Sequence, residues 1–355
     1  MGKKGNIIII GGNITGLYAA IKCLDIGYNV TIIEKRSLNV SNKNYNITYE
    51  FFNNNHKAIF ILLKKLKLNY RLINNNTCDD KLNNIINNIL DRSKYLPKNI
   101  LSSLTFSNLC KKILSTNIIE ELYKYIDNFD EIFNLISAED AINIFTNELN
   151  NSLEYYTYNE GINELINRMI KYIIQKNGEI INNLNVNNIT YKDKKFNIFT
   201  NKKIYNCDIL ISTISKKNLI NFNFWNNEQK VYLNSVNNIN SYTLNSLYKN
   251  YYWYNDDSNK DIIDKNNIEN ELNIRKTLLY NMHVVFPTIK NDINVYFWKT
   301  GINSVISRNK IINLYNNNFF ICGESYNKNN IFLNYSLESI DDIIPRIIKK
   351  KFNYM

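Results

Sequence analysis

Residues 7–36 read IIIIGGNITGLYAAIKCLDIGYNVTIIEKR, and this stretch decides the fold. Ile7 to Ile10 is a short β-branched run with no polar member, the pattern of a parallel strand covered on both faces. Gly11-Gly12-Asn13-Ile14-Thr15-Gly16 follows as a turn. Leu17 to Leu24 then carries small and apolar residues at helical spacing, and Gly27 is placed to end that helix as a left-handed cap. Val30 to Ile33 is a second strand, and Glu34 stands at its end. Strand, glycine turn, helix, strand and acid in this order spell a β-α-β unit of the dinucleotide-binding type. The turn aims backbone N–H groups and the positive end of the helix dipole at a pyrophosphate, while the acid accepts from a ribose hydroxyl. One position departs from G-x-G-x-x-G: Asn13 stands where the second glycine belongs. Asn tolerates positive φ better than most residues, but its side chain claims room beside the phosphate.

Downstream, residues 37–55 are polar and Asn-rich and read as loop. Ile59, Leu62, Leu63 and Leu66 mark an amphipathic helix from His56 to about Leu68. Residues 80–150 read as several helices, and Glu160 to Ile174 as another, with Gly161 at its start. A strand-rich passage covers 179–181, 186–191, 196–200, 203–205 and 208–212. The stretch 216–290 is mixed and rich in Tyr and Asn, with an exposed loop expected over 255–270. Phe319 to Cys322 is a strand opening onto Gly323-Glu324, and Leu337 to Ile348 is a closing helix.

Composition bounds the function. A chain of 355 residues with 45% hydrophobic and 13% aromatic residues has ample material for two domains, or for one large interleaved one. The formal net charge is +11, but the cations fall as short pairs, with Lys349 to Lys351 the one run. That scatter argues against a nucleic-acid partner. Asn, Ile, Lys and Tyr have A/T-rich codons, so an AT-rich genome, such as that of a large DNA virus or a parasite, yields this bias without a binding role. Cys23, Cys78, Cys110, Cys207 and Cys322 are widely spaced, with no CxxC, and His56 and His283 have no metal-ligand spacing. No metal is expected. A reducing intracellular compartment fits, cytoplasmic or, for a viral chain, host cytoplasm or virion. No apolar stretch reaches the length of a transmembrane helix. With two histidines lacking sequence partners, no Ser-His-Asp or Cys-His arrangement is expected.

Beyond this reading of the residues, the segment 7–36 resembles the N-terminus of the FAD-dependent amine oxidase family. Four later segments resemble the same family, in order: 155–170 (YYTYNEGINELINRMI), 183–214 (NLNVNNITYKDKKFNIFTNKKIYNCDILISTI), 295–304 (VYFWKTGINS) and 318–339 (NFFICGESYNKNNIFLNYSLES). The resemblance implies an α/β fold in which an FAD-type Rossmann domain is interleaved with a mixed sheet-plus-helix substrate domain. The first is expected from 1–50, 155–215 and 295–355, the second from 51–154 and 216–294. Gly11, Gly12, Asn13, Ile14, Thr15 and Gly16 would face the FAD pyrophosphate, Glu34 the adenosine ribose with Lys35 and Arg36 beside it, and Val186 the adenine. Gly323 and Glu324 would meet the ribityl or phosphate region. Trp298 and Tyr326 would lie near the flavin, Lys249 or Lys299 would supply a lysine near its N5, and the Tyr248–Tyr254 stretch would line a pocket for a small-molecule amine.

The departures cluster around the same ligand. The family's Gly-Gly-Arg turn is replaced by Ser37-Leu38-Asn39-Val40-Ser41-Asn42. A second glycine-rich segment reads Tyr49 to Asn55, and a Gly-Ala pair at the final helix reads Tyr335-Ser336 after Asn334. Tyr335 is expected to add a ring beside the isoalloxazine. Two readings therefore stand: an FAD-dependent oxidoreductase of amines, or a catalytically degenerate member of the fold serving as a structural or interaction module.

Overall fold

The structure is a computed structural model, and it describes residues 5–38, 51–73, 80–125, 137–147, 153–234, 236–245, 250–254, 294–305, 313–314, 318–323 and 333–350. Side chains of 236–245, 250–254, 294–305 and 313–314 are not among those described. The chain divides into two compact units, residues 1–237 with 304–355, and residues 238–303.

The first unit opens with β1 (Asn6–Ile10), α1 (Ile14–Asp25) and β2 (Asn29–Ile33). The expected end of α1 is a Schellman cap: Gly27 has φ +82°, its N–H donates to Leu24 O, and the Tyr28 N–H donates to Cys23 O. Next come β3 (Phe51–Asn53), α2 (Lys57–Leu66) and β4 (Tyr70–Ile73). A helical group follows: α3 (Asp80–Ser93), α4 (Lys98–Ser103), α5 (Phe106–Ile113), α6 (Thr116–Tyr125) and α7 (Ala138–Asn147). Their apolar faces meet in a core of their own around Phe106, Leu109, Leu122 and Ala141. The chain then runs through β5 (Tyr155–Tyr158), α8 (Ile162–Gln175), β6 (Glu179–Ile181), β7 (Val186–Lys192), β8 (Lys195–Thr200), β9 (Ile204–Cys207) and β10 (Ile209–Ser212). Helices α9 (Lys216–Leu219) and α10 (Asn227–Leu233) follow. Strands β11 (Val236–Asn245), β12 (Asn250–Tyr254) and β13 (Asn294–Val305) form a three-stranded sheet in the order β12-β11-β13. The chain returns through β14 (Asn313–Leu314), β15 (Phe319–Ile321), α11 (Leu333–Asp341) and α12 (Ile344–Lys350).

The central sheet has the order β14-β15-β10-β1-β2-β6, and from β15 to β6 its pairs are parallel. Successive residues of a strand point to opposite faces, so a strand without polar residues must be covered twice. Ile7 and Ile9 pack with α1, α2, α8 and α11, while Ile8 and Ile10 pack with the β7-β8-β9 sheet and the 219–233 segment. Phe320 and Phe319 divide between the same two faces. The fold class read from the sequence is therefore observed: mixed α/β with a parallel central sheet.

Two local readings change, and a third is not tested. Phe51–Asn53, Tyr70–Ile73 and Tyr155–Tyr158 are strands of one small antiparallel sheet, ordered β3-β5-β4, where the sequence showed loop or no element. The single closing helix is two helices that meet at Asp342-Ile343, with Pro345 in the first turn of the second, where a missing N–H removes no helical bond. The loop expected over 255–270 lies outside the described residues.

Lys216 opens α9 and is 1% exposed. Burial strips water from its ammonium and pushes the pKa down from 10.5 to about 8. Between those two values the unfolded chain holds more protons than the folded one, so the burial penalty is full below pH 8 and fades as pH rises toward 10.5. Lys216→Met removes this titration, so its stability relative to the parent is expected to fall as pH rises from 8 to 10.5, by about 1.4 kcal/mol per pH unit at the steepest. Paired urea denaturations across pH measure it. Tyr and Cys titration affects both proteins alike and cancels in the difference.

Candidate functional site

The parallel strands β2, β1, β10 and β15 end together, and their C-terminal ends carry Glu34, Gly11, Thr213 and Cys322-Gly323. The chain order turns back between β1 and β10, which makes this the topological switch point of the sheet, where open α/β folds bind ligands.

The Gly11–Gly16 turn is built on one unusual backbone angle and one close approach. Gly11 has φ +105°, a backbone that side chains rarely adopt. At Gly16 an added Cβ would lie 2.0 Å from the Gly11 carbonyl oxygen, so any side chain would push α1 off the end of β1. Asn13 sits at φ −66°, ψ 174° and caps α1, so positive φ is not why Asn is tolerated there. Its Oδ1 accepts from the Gly16 N–H at 2.9 Å, and its Nδ2 donates to the Thr213 carbonyl at 2.8 Å. The Thr213 hydroxyl lies within reach of the Gly11 and Ile10 carbonyls, at 3.1 and 3.2 Å. Turn and β10 are thus clasped from both sides. The N–H groups of Ile14 and Thr15, in the first turn of α1, find no acceptor among the described residues.

Glu34 Oε2 accepts from the Gly12 N–H at 2.6 Å and Oε1 from the Arg36 N–H at 2.8 Å. A Cβ on Gly12 would lie 2.8 Å from Leu38 Cδ1, so Leu38 closes over the turn on this side. The Glu34 N–H donates to the Ile181 carbonyl and the Glu34 carbonyl accepts from the Leu184 N–H, which ties the segment leading into β7 to the end of β2. Val186 is half-buried and pairs with Thr200 at a β-bulge. Lys35 and Arg36 are exposed.

On the other side of β1, Gly323 has φ +125° and donates to Ser339 Oγ at 3.0 Å. Ser212 Oγ and Ser215 Oγ, flanking Thr213 in sequence, are buried and have no partner among the described residues. Asn334 Oδ1 caps the start of α2 by accepting from the Ala58 N–H at 3.1 Å, and Asn334 Nδ2 donates to Glu338 at 2.7 Å. Burial raises the Glu338 carboxyl, against the lowering pull of Asn334 and His56. The Tyr335 ring is buried edge-on against His56, with centroids 6.1 Å apart.

The structure therefore brings Gly11, Gly12, Asn13, Ile14, Thr15, Gly16, Glu34, Lys35, Arg36 and Gly323 to one end of one sheet, while Val186 opens β7 of the separate β7-β8-β9 sheet. Glu324, Tyr326 and Lys249 lie outside the described residues, and Trp298 and Lys299 belong to β13, whose side chains are not described. Sequence reasoning missed Thr213, Leu38 and the capping role of Asn334, because each acts on a partner far away in the chain. No group of His, Cys, Asp and Glu that could hold a metal ion occurs among the described residues. The free first-turn N–H groups, the glycine cradle and the carboxylate on the neighbouring strand suit an anionic diphosphate joined to a ribose.

No protein-family model matches the chain, and no curated protein matches it. Solved structures share its fold. An oxidoreductase from Methanosarcina mazei aligns over 96% of this chain and 100% of its own, at 12% identity and a TM-score of 0.68. Cyclohexylamine oxidase from Brevibacterium oxydans covers 97% and 99%, at 10% identity and a TM-score of 0.66. A CLA-producing fatty acid isomerase from P. acnes covers 98% and 99%, at 12% identity and a TM-score of 0.71. At these identities the likeness concerns the fold. An amine oxidase and a fatty acid isomerase share it, so the reaction is not set by the fold.

Gly16→Ala is expected to lower the unfolding free energy by about 2–4 kcal/mol, because the clash is with backbone rather than with a side chain that can swing away. Urea denaturation checks this.

Proposed function

We propose that this chain binds FAD across the end of its parallel sheet and oxidises an amine-like small molecule by hydride transfer to the flavin. The observation that carries the reading is the convergence of the Gly11–Gly16 cradle, the unsatisfied N–H groups of Ile14 and Thr15, and the Glu34 carboxylate. The residues fit the group. Ile14, Thr15 and Asn13 would hold the diphosphate through their N–H groups. Glu34 spends one lone pair of each oxygen on Gly12 and Arg36, and an ionised carboxylate has further lone pairs for ribose hydroxyls. Val186 would meet the adenine through its backbone, and Gly323 with Glu324 the ribityl side. Gly12 would act through Glu34 rather than face the phosphates.

Flavin chemistry supplies the two-electron acceptor for a C–H bond next to nitrogen. The chain's own task is to orient the substrate, exclude water and keep the amine neutral. Trp298, Lys299, Tyr326 and Lys249 are the candidates for that work. The FAD-binding part would be assembled from 1–50, 155–215 and 295–355, with 51–154 and 216–294 supplying the helical and substrate part. The described cysteines Cys23, Cys110, Cys207 and Cys322 are all free thiols, which supports an intracellular reading.

Leu38 over Gly12 and the buried Tyr335 ring favour a second reading, a degenerate module that has kept the fold. The visible spectrum of the purified protein separates the two. The oxidoreductase reading expects a yellow protein, flavin released on denaturation, and peroxide formed with an amine. A protein that stays colourless after incubation with FAD contradicts cofactor binding, and a yellow protein that turns over no amine supports the degenerate reading. Asn13→Asp keeps the helix cap but adds negative charge beside the phosphates. It is expected to weaken FAD binding about tenfold or more and, because the Nδ2 bond to the Thr213 carbonyl is lost, to lower the melting temperature of the FAD-free protein as well.

A further inference from the structure

One surface of the first unit has no role in the site. Along 57–73 the sequence KAIFILLKKLKLNYRLI contains no acid. Its apolar members divide: Ala58, Ile59, Leu62, Leu63 and Leu66 are buried, whereas Ile61 is 58% exposed, Tyr70 44% and Leu72 53%. Helical spacing sets Lys57, Ile61 and Lys64 on one outward stripe of α2. Tyr70 and Leu72 share a face of β4, an edge strand, and the Tyr70 ring packs edge-on against Phe60 of α2 at 5.1 Å, which joins strand and helix into one surface.

Charge follows the same surface. Lys57, Lys64, Lys67 and Arg71 are exposed, and none forms an ion pair among the described residues. Lys65 is different: it turns to Asp25 of α1 at 2.7 Å. Among the described residues next to β4, Glu154 accepts from the Tyr156 hydroxyl and Glu160 is exposed. An edge strand bearing a half-exposed Tyr and an exposed Leu is a liability in water unless something uses it. Exposed aliphatics set among unpaired cations match one partner chemistry closely. A bilayer takes Ile and Leu into its acyl boundary and Tyr at headgroup level, and anionic headgroups reach the lysines at the ends of their apolar stems. An acidic protein would use the cations but would leave the scattered aliphatics without a pocket. Nucleic acid would call for stacked aromatics, and Tyr70 is the only exposed aromatic on these two elements.

We propose that the α2–β4 face is a peripheral docking surface for anionic lipid bilayers. Binding there leaves the buried side of α2, and the Asn334 cap at its start, in place. The proposal does not rest on the flavin reading.

Flotation of the full-length protein tests it, with vesicles of phosphatidylcholine alone and of phosphatidylcholine containing about 30% phosphatidylserine. The protein is expected to float with the anionic vesicles, to stay behind with the neutral ones, and to detach as salt rises. Lys64→Glu combined with Lys67→Glu should cut the partition at least tenfold, at about fivefold per cation removed. Ile61→Ser combined with Leu72→Ser keeps every charge and should still cut it severalfold. Melting temperatures confirm that the variants fold, and Lys57→Gln with Arg71→Gln serves as the milder pair should one of them fail. No flotation at low salt overturns the proposal. So does flotation indifferent to Ile61→Ser and Leu72→Ser, which would mean diffuse charge attraction. Binding of duplex DNA or polyglutamate as tight as that of the anionic vesicles, and lost in the same variants, would assign the face to those partners instead.

Discussion

The close approach of α1 to the end of β1 is the constraint on which the rest of the architecture depends. With a Gly16 Cβ position only 2.0 Å from the Gly11 carbonyl oxygen, the helix starts directly over the strand. That contact puts the helix dipole and the unsatisfied N–H groups of Ile14 and Thr15 at the switch point of the sheet. It also fixes which side of α1 is buried. Leu17, Ala20 and Ile21 are fully covered, and the outer side is held by polar ties: Tyr18 and Lys22 to Asp341 of α11, and Asp25 to Lys65 of α2 and Tyr172 of α8. Desolvation and the neighbouring Asp341 raise the Tyr18 hydroxyl well above its ordinary value, so it remains a donor at any ordinary pH.

A glycine turn with an asparagine in its middle reads at first as a damaged phosphate site. The geometry shows a different economy. Asn13 satisfies the Gly16 N–H and reaches across to Thr213, and Thr213 returns its hydroxyl to the turn. A flexible position has been exchanged for a clasped one, at the expense of one N–H that a bare turn would leave free. Glu34 likewise braces the turn through Gly12 and keeps lone pairs in reserve. The site is stiffened by its own side chains, while the first-turn donors stay unused. Fold relatives that include an amine oxidase and a fatty acid isomerase show how far chemistry varies on this scaffold, so these local substitutions carry more information than the overall likeness.

The sequence spoke clearly where structure is local. β1, α1, its Gly27 cap and β2 were legible because periodicity, capping and β-branching act within a few residues, and β6 to β10 were legible for the same reason. The β3-β5-β4 sheet was not, because its strands pair across about a hundred residues and nothing in Tyr70–Ile73 alone distinguishes an edge strand from a loop. The long-range partners Thr213 and Leu38, and the capping of α2 by Asn334, escaped for the same reason. Tyr335 was expected as an added ring, and its contact with His56 became visible only when α2 and α11 were seen to pack. Asn13 and Glu34 were found as residues, but their bonds to Thr213 and Gly12 depend on the order of strands in the sheet.

The central claim is that the first turn of α1 is a diphosphate cradle. Backbone amide NMR of the FAD-free protein, titrated with FAD, addresses it at the atoms concerned. The account predicts large shifts of the Ile14 and Thr15 amide signals, with smaller ones at Gly12 and Arg36 as Glu34 takes on the ribose. Saturating FAD that leaves the Ile14 and Thr15 amides unmoved would contradict it.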